Sequence, residues 1–131
     1  ILIHYANDVT YQIEIGNLAA EDKPRWYVCG EKGALVKFGL DPQEGYMKEG
    51  RILEAKEDSD IRARVTTHVS GEKQKIVMDS VRGSWTSYYQ NISDVLNNSA
   101  DLVVTPEQMV TLMRVYDAAM QSSEKGETVR L

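Results

Sequence analysis

The side chains able to do chemistry are few, and their spacing limits what they could do. His4 and His68 are the only histidines and Cys29 the only cysteine among 131 residues. No Cys/His cluster has metal-ligand spacing, so a zinc or iron centre is not expected. His68 shares one face of an alternating run with Arg62 and Arg64. That face reads either as an anion- or substrate-contacting surface or, more plainly, as a solvated strand face or subunit contact. Cys29 would be a nucleophile only beside an activating base. Following Tyr27 and Val28, it reads as an inert, buried strand residue. Asp41 and Glu44 could pass for a carboxylate pair, yet helix capping explains both. Trp85, Tyr88 and Tyr89 are types that line sugar pockets. At helical spacing they read as core, with one phenol, Tyr88, reaching a cleft. Gly30-x-x-Gly33 joins two strands, whereas a dinucleotide loop needs G-x-G-x-x-G between strand and helix. No P-loop, G-x-S-x-G or H-E-x-x-H is present.

The elements that must position these groups can be read in order. A turn at Asn7-Asp8 precedes a half-buried strand in which Val9, Tyr11, Ile13 and Ile15 alternate with polar residues. Trp26 to Cys29 and Ala34 to Phe38 form a hairpin through Gly30-Glu31-Lys32-Gly33. Pro42 takes the chain out of the sheet, and Asp41-Pro42-Gln43-Glu44 starts a short helix with Asp41 as cap. A short strand is expected at Ile52 to Ala55. Ile61 to Val69 alternates, Ser70-Gly71-Glu72-Lys73 turns, and Lys75 to Val81 returns. Two helices follow. The first has an apolar stripe of Trp85, Tyr88, Tyr89, Ile92, Val95 and Leu96 and ends at Asn97-Asn98-Ser99. The second starts at Thr105-Pro106-Glu107-Gln108, carries Met109, Leu112, Met113, Tyr116 and Met120 as core, and stops at Gly126. Val129 to Leu131 adds a last edge strand. The fold expected is α+β: a mostly antiparallel open sheet with helices packed on one face.

Length suits a single domain over residues 1–131. An apolar content of 42% argues against disorder. A net charge of −5 argues against nucleic-acid or anionic-membrane partners, which need basic surfaces. No apolar run is long enough to span a bilayer. One cysteine excludes an internal disulfide and, with no signal peptide, favours the cytoplasm. The chain opens on Ile1-Leu2-Ile3, inside an apolar strand, and so reads as a fragment.

The stretch L-V-K-F-G-L-D-P-Q-E after a tight turn resembles the C-terminal domain of the Gfo/Idh/MocA family of NAD(P)-dependent oxidoreductases. Gly83-Ser84-Trp85, Tyr88-Tyr89, Val104-Thr105-Pro106-Glu107-Gln108 and Ser122-Ser123-Glu124-Lys125-Gly126 resemble the family's closing segment in order and spacing, so the likeness runs from Asp8 to Leu131. The resemblance implies a parent enzyme with an N-terminal Rossmann domain that binds NAD or NADP and supplies a catalytic lysine. It implies hydride transfer to or from a sugar, polyol or similar hydroxy compound, and a homo-oligomer formed through the open sheet face. The chain would then be the substrate and oligomerisation domain, lacking the Rossmann domain, binding no cofactor and inactive alone. Lys23-Pro24 stands too late in the order to carry the catalytic lysine. Lys37, inside the matching stretch, becomes a substrate-side candidate with His68 and Tyr88. The alternative is a non-enzymatic α+β interaction module that associates through its sheet. Apolar residues on both strand faces, Val36 and Phe38 against Leu35, suit a sheet covered on both sides.

Overall fold

The computed structural model describes residues 1–69 and 71–131, with position 69 described by its backbone. Its contacts divide the chain into two units, one of residues 18–88 and one of residues 1–17 with 89–131.

The first of these units is built on a four-stranded antiparallel meander: β1 (Trp26–Gly30), β2 (Gly33–Lys37), β3 (Ala63–Val69) and β4 (Glu72–Met78), hydrogen-bonded in that order. β1 and β2 pair Gly30 with Gly33 and Trp26 with Lys37, so only Glu31 and Lys32 form the loop. The Lys32 carbonyl accepts hydrogen bonds from the His68 amide and the Thr67 hydroxyl, which ties the hairpin to β3. β2, paired on both sides, is half-buried along its length, while β1 and β4 lie exposed. Beyond β2 the Asp41 carboxylate accepts the Gln43 amide, and Pro42 already has helical angles. Asp41 therefore does the capping expected of it, ahead of a one-and-a-half-turn helix, Gln43–Lys48.

Several expectations are corrected here. Ile52 to Ala55 is no strand. Ile52–Glu54 is a single 3₁₀ turn, closed where the Arg51 guanidinium bridges Glu49 and Glu54. Glu44 caps nothing and pairs with Lys48 one turn on, 2.7 Å away. β4 begins at Glu72 and ends at Met78, three residues earlier at each end than expected, which leaves Ser80 and Val81 in coil. The expected turn at 70–73 falls partly on Ser70, outside the described residues, and its Glu72 and Lys73 pair in the ladder. Cys29 is exposed, because β1 is an edge strand. Its thiol raises the pKa of the neighbouring Tyr27 phenol through a side-chain hydrogen bond.

The other unit contains a small antiparallel hairpin, Leu2–His4 with Thr10–Gln12. Its turn places Asp8 at φ 62°, a conformation an Asp tolerates. Alternation continues to Ile15, but a ladder needs a partner strand, and Leu2–His4 offers three residues; the second strand is exposed rather than half-buried. The helix Thr86–Asn98 gives this unit its residues from Tyr89 onward. Asn91 fastens the following loop by donating to the Asp101 carbonyl and accepting the Val103 amide. The last helix, Pro106–Lys125, starts with the capping box its sequence announces. Thr105 accepts the Gln108 amide, the Gln108 side chain accepts the Thr105 amide, and Gly126 closes the other end in a left-handed conformation. No strand forms at Val129–Leu131 among the described residues. The apolar stripes of both long helices stand largely exposed instead of forming core. Periodicity establishes that a helix face is apolar but does not say what covers it. Among the described residues only Ala55, Ala63 and Gln43 are buried. The α+β class and the mostly antiparallel sheet are as expected.

Candidate functional site

Where the chain leaves β2 it encloses a cavity of about 490 Å³, inside the unit of residues 18–88. Three stretches wall it. Lys37 to Gln43 supplies one side, Ala55 to Glu57 the second, and Ser80 to Gly83 the third, with Arg25 and Trp26 contributed from the start of β1.

The polar floor is Gln43, 4% exposed and saturated with hydrogen bonds. Its Nε2 donates to both oxygens of Asp41, at 3.1 and 2.9 Å, and its Oε1 accepts the Trp85 amide at 2.9 Å. Gly83 makes this arrangement possible. A Cβ there would stand 2.7 Å from Gln43 Nε2 and 3.1 Å from Asp41 Oδ2.

Beside it lies an ion pair between Lys37 Nζ and Glu57 Oε1, with the two side chains only 20% and 19% exposed. Lys37 Nζ also donates to the Ile61 carbonyl at 2.9 Å, and Glu57 Oε2 accepts the Ser80 amide at 3.0 Å. The hydrogen bond from Lys37, helped by the Ser80 amide, outweighs partial desolvation and lowers the Glu57 carboxyl from 4.5 to about 2. An ammonium has three donors, so Lys37 keeps one N–H for a ligand. Arg82 donates to the Leu53 carbonyl at the rim. Positioned cations, a carboxylate and an indole face can orient a hydroxylated molecule. Among the described residues no group of three or more His, Cys, Asp or Glu could hold a metal ion.

The full chain, residues 1–131, matches a family described as "Oxidoreductase family, C-terminal alpha/beta domain". The chain belongs to that family. The Gfo/Idh/MocA resemblance is thereby confirmed. Among curated relatives, scyllo-inositol 2-dehydrogenase (NADP(+)) IolW of Bacillus subtilis is 30% identical over 122 residues, 88% of this chain and 34% of its own length. The uncharacterized oxidoreductase YdgJ of Escherichia coli is 34% identical over 116 residues, 87% of this chain and 34% of its own. The chain thus spans about a third of these relatives' length. Among solved structures, yvaA from Bacillus subtilis superposes with a TM-score of 0.77 at 30% identity, over 88% of this chain and 36% of that one.

Of the three candidates read from this oxidoreductase-domain sequence, the structure brings only Lys37 into the cavity. His68 lies at the opposite end of the sheet, paired with Lys73 beside the hairpin loop. Its face is occupied partly by Arg64, stacked 5.4 Å over the Phe38 ring, and by Arg62, which reaches Asp79 at 3.4 Å. Tyr88 sits exposed in the first turn of its helix and does not line the cavity. Sequence reasoning missed Glu57, Arg82 and Trp26 and saw Asp41 only as a cap. Glu57 lies in a charged, irregular stretch with no periodicity to give it a direction. The Asp-Pro-Gln run was visible, but that Gln43 would turn inward was not.

Gly30 and Gly33 flank a strand hairpin, not a helix start. A Cβ at Gly33 would lie 2.4 Å from the Thr66 carbonyl oxygen, so that glycine serves close strand approach.

Proposed function

We propose that this chain is the substrate-side and association domain of an NAD(P)-dependent oxidoreductase, most simply NADP-linked, acting on a polyol or similar hydroxy compound. The observation that carries this reading is the cavity beside Lys37 in a chain whose relative IolW is a scyllo-inositol dehydrogenase. Cofactor binding and hydride transfer would come from a Rossmann domain outside these residues. The residues here bind and orient. Lys37, held by Glu57 and the Ile61 carbonyl, offers its remaining N–H to a substrate hydroxyl. Trp26 packs an apolar ring face, and Gln43 keeps the floor rigid. By itself the chain binds no NAD(P) and turns nothing over. The exposed apolar residues of the edge strands, Tyr27 and Val28 on one and Ile76 to Met78 on the other, suit association between copies through the sheet. An unpaired, exposed Cys29 is consistent with a cytoplasmic setting.

The test is an assay of the full polypeptide with NADP⁺ and a panel of cyclic and linear polyols. We expect oxidation of at least one polyol. We expect Lys37→Met to raise KM about tenfold while changing kcat less, as loss of a binding contact does. No turnover of any polyol with either nucleotide would overturn the reading. For the isolated chain, micromolar binding of NADPH in calorimetry would contradict its assigned share of the work, and a strictly monomeric full polypeptide in sedimentation would remove the association surface.

A further inference from the structure

The cavity has a charge imbalance that a neutral polyol does not explain. Four cationic side chains line it, Arg25, Lys37, Lys56 and Arg82, against two acidic ones, Asp41 and Glu57. The whole chain carries −5, so the surplus is local. Both acids are committed to the protein. Asp41 gives its two oxygens to Gln43, and Glu57 gives one to Lys37 and one to the Ser80 amide. Lys37 is neutralised in the exchange. Arg82 holds a neutral acceptor, the Leu53 carbonyl. Arg25 and Lys56 take part in no ion pair among the described residues.

Three cations lining one concave surface with no acid left to pair them raise the local positive potential, and a cleft with a surplus of one sign concentrates ligands of the other. Guanidinium groups match carboxylate and phosphate oxygens two at a time, which water or a hydroxyl cannot do. The volume, within the few-hundred Å³ range of small-molecule sites, admits a sugar-sized skeleton. Trp26 offers that skeleton a flat apolar wall.

We infer that the cavity is selective for an anionic polyol, a sugar acid or sugar phosphate, with Arg25, Lys56 and Arg82 receiving its carboxylate or phosphate. This rests on the cavity being the substrate site, and it separates the domain from a dehydrogenase of uncharged polyols. The Lys37–Glu57 pair is left to address hydroxyls, and the three unneutralised cations set the charge preference.

The experiment is calorimetric titration of the full polypeptide with gluconate, glucose 6-phosphate, inorganic phosphate and myo-inositol, at low and high salt. We expect one of the two sugar anions to bind at least about tenfold more tightly than myo-inositol, as a charge-assisted contact supplies. That ratio should shrink as salt rises. Which anion wins distinguishes carboxylate from phosphate. Free phosphate binding more tightly than either sugar anion would overturn the assignment to a polyol. The variant Arg25→Gln/Lys56→Gln removes two cations that hold no other group of the protein, so the fold should survive, and the ratio should fall towards one. A ratio near one in the unaltered protein, or one preserved in the double variant, would refute the inference. If uncharged polyols are oxidised without any preference for anions, charge selectivity fails while the oxidoreductase reading stands. If the anion preference is present but no polyol is oxidised, the anion site stands and the oxidoreductase reading fails.

Discussion

Replacing Glu57 by Gln tests whether the ion pair with Lys37 holds the cavity wall in place. Gln is isosteric and its one oxygen can still accept the Ser80 amide, so the change removes the charge and, with it, the acceptor that faces Lys37. The native carboxyl lies at about 2 against an ordinary 4.5, a difference of about 2.5 units. At roughly 1.4 kcal/mol per unit that sets a ceiling of about 3.5 kcal/mol. Both side chains keep a fifth of their surface in solvent, so screening lowers the expected loss at neutral pH to about 2 kcal/mol. The folded-state value is depressed, so the stabilisation is fully present above about 4.5 and lost as pH falls towards 2. At pH near 3.5 roughly 1.5 of the 2.5 units remain by the same linkage relation, so the gap between native and variant should close to about 1.2 kcal/mol. Urea unfolding of the full polypeptide at both pH values, with hydrogen exchange of the Ser80 amide as a local probe, measures this. An equal gap at the two pH values, or a gap under about 0.5 kcal/mol at neutral pH, would show that the pair is solvent-screened and structurally idle.

Gly83→Ala should cost about 1–3 kcal/mol, because the new methyl displaces Gln43 and leaves buried polar groups unpaired. In a thermal-melting cycle it should be strongly non-additive with Gln43→Ala, and additivity would mean the clash is relieved elsewhere. Thr105→Ala should cost about 1 kcal/mol and raise exchange in the first turn of the last helix, whereas Thr105→Ser should restore protection. Glu44→Gln should leave the melting midpoint unchanged, because its partner Lys48 is exposed, and a clear shift would show that the short helix carries more than its surface position suggests.

Legibility followed the range of the signal. The capping box at Thr105, the stop at Gly126 and the hairpin through Gly30-Glu31-Lys32-Gly33 were readable because each is a local rule acting within a few residues, although the pairing of Gly30 with Gly33 makes the loop two residues rather than four. The antiparallel order followed from successive hairpins. The cavity was not readable, apart from Lys37 and the presence of Asp41-Pro42-Gln43. Its bonds join Lys37 to Glu57, Glu57 to Ser80 and Gln43 to Trp85, across irregular segments where no period tells which way a side chain faces. The apolar stripes were assigned correctly as stripes and wrongly as core. Cys29 went the same way, since residue type predicts burial only where something lies over the strand.

The span of those bonds also bears on how the cavity comes into being. Two of the three strand pairings, β1 with β2 and β3 with β4, close across hairpins, which form in microseconds, whereas β2 and β3 meet across the 25 residues from 38 to 62. The cavity's ties enclose 20, 23 and 42 residues of chain, and each carries a larger entropy of closure than a hairpin. The two hairpins can therefore exist with the cavity still unmade, and the longer closures, polar ties included, decide whether a binding site is present at all. A ligand bridging those walls acts as an additional cross-link and draws the population towards the closed arrangement by mass action. Occupancy and local order at residues 39–62 are then one equilibrium, so substrate scarcity itself would loosen this part of the molecule.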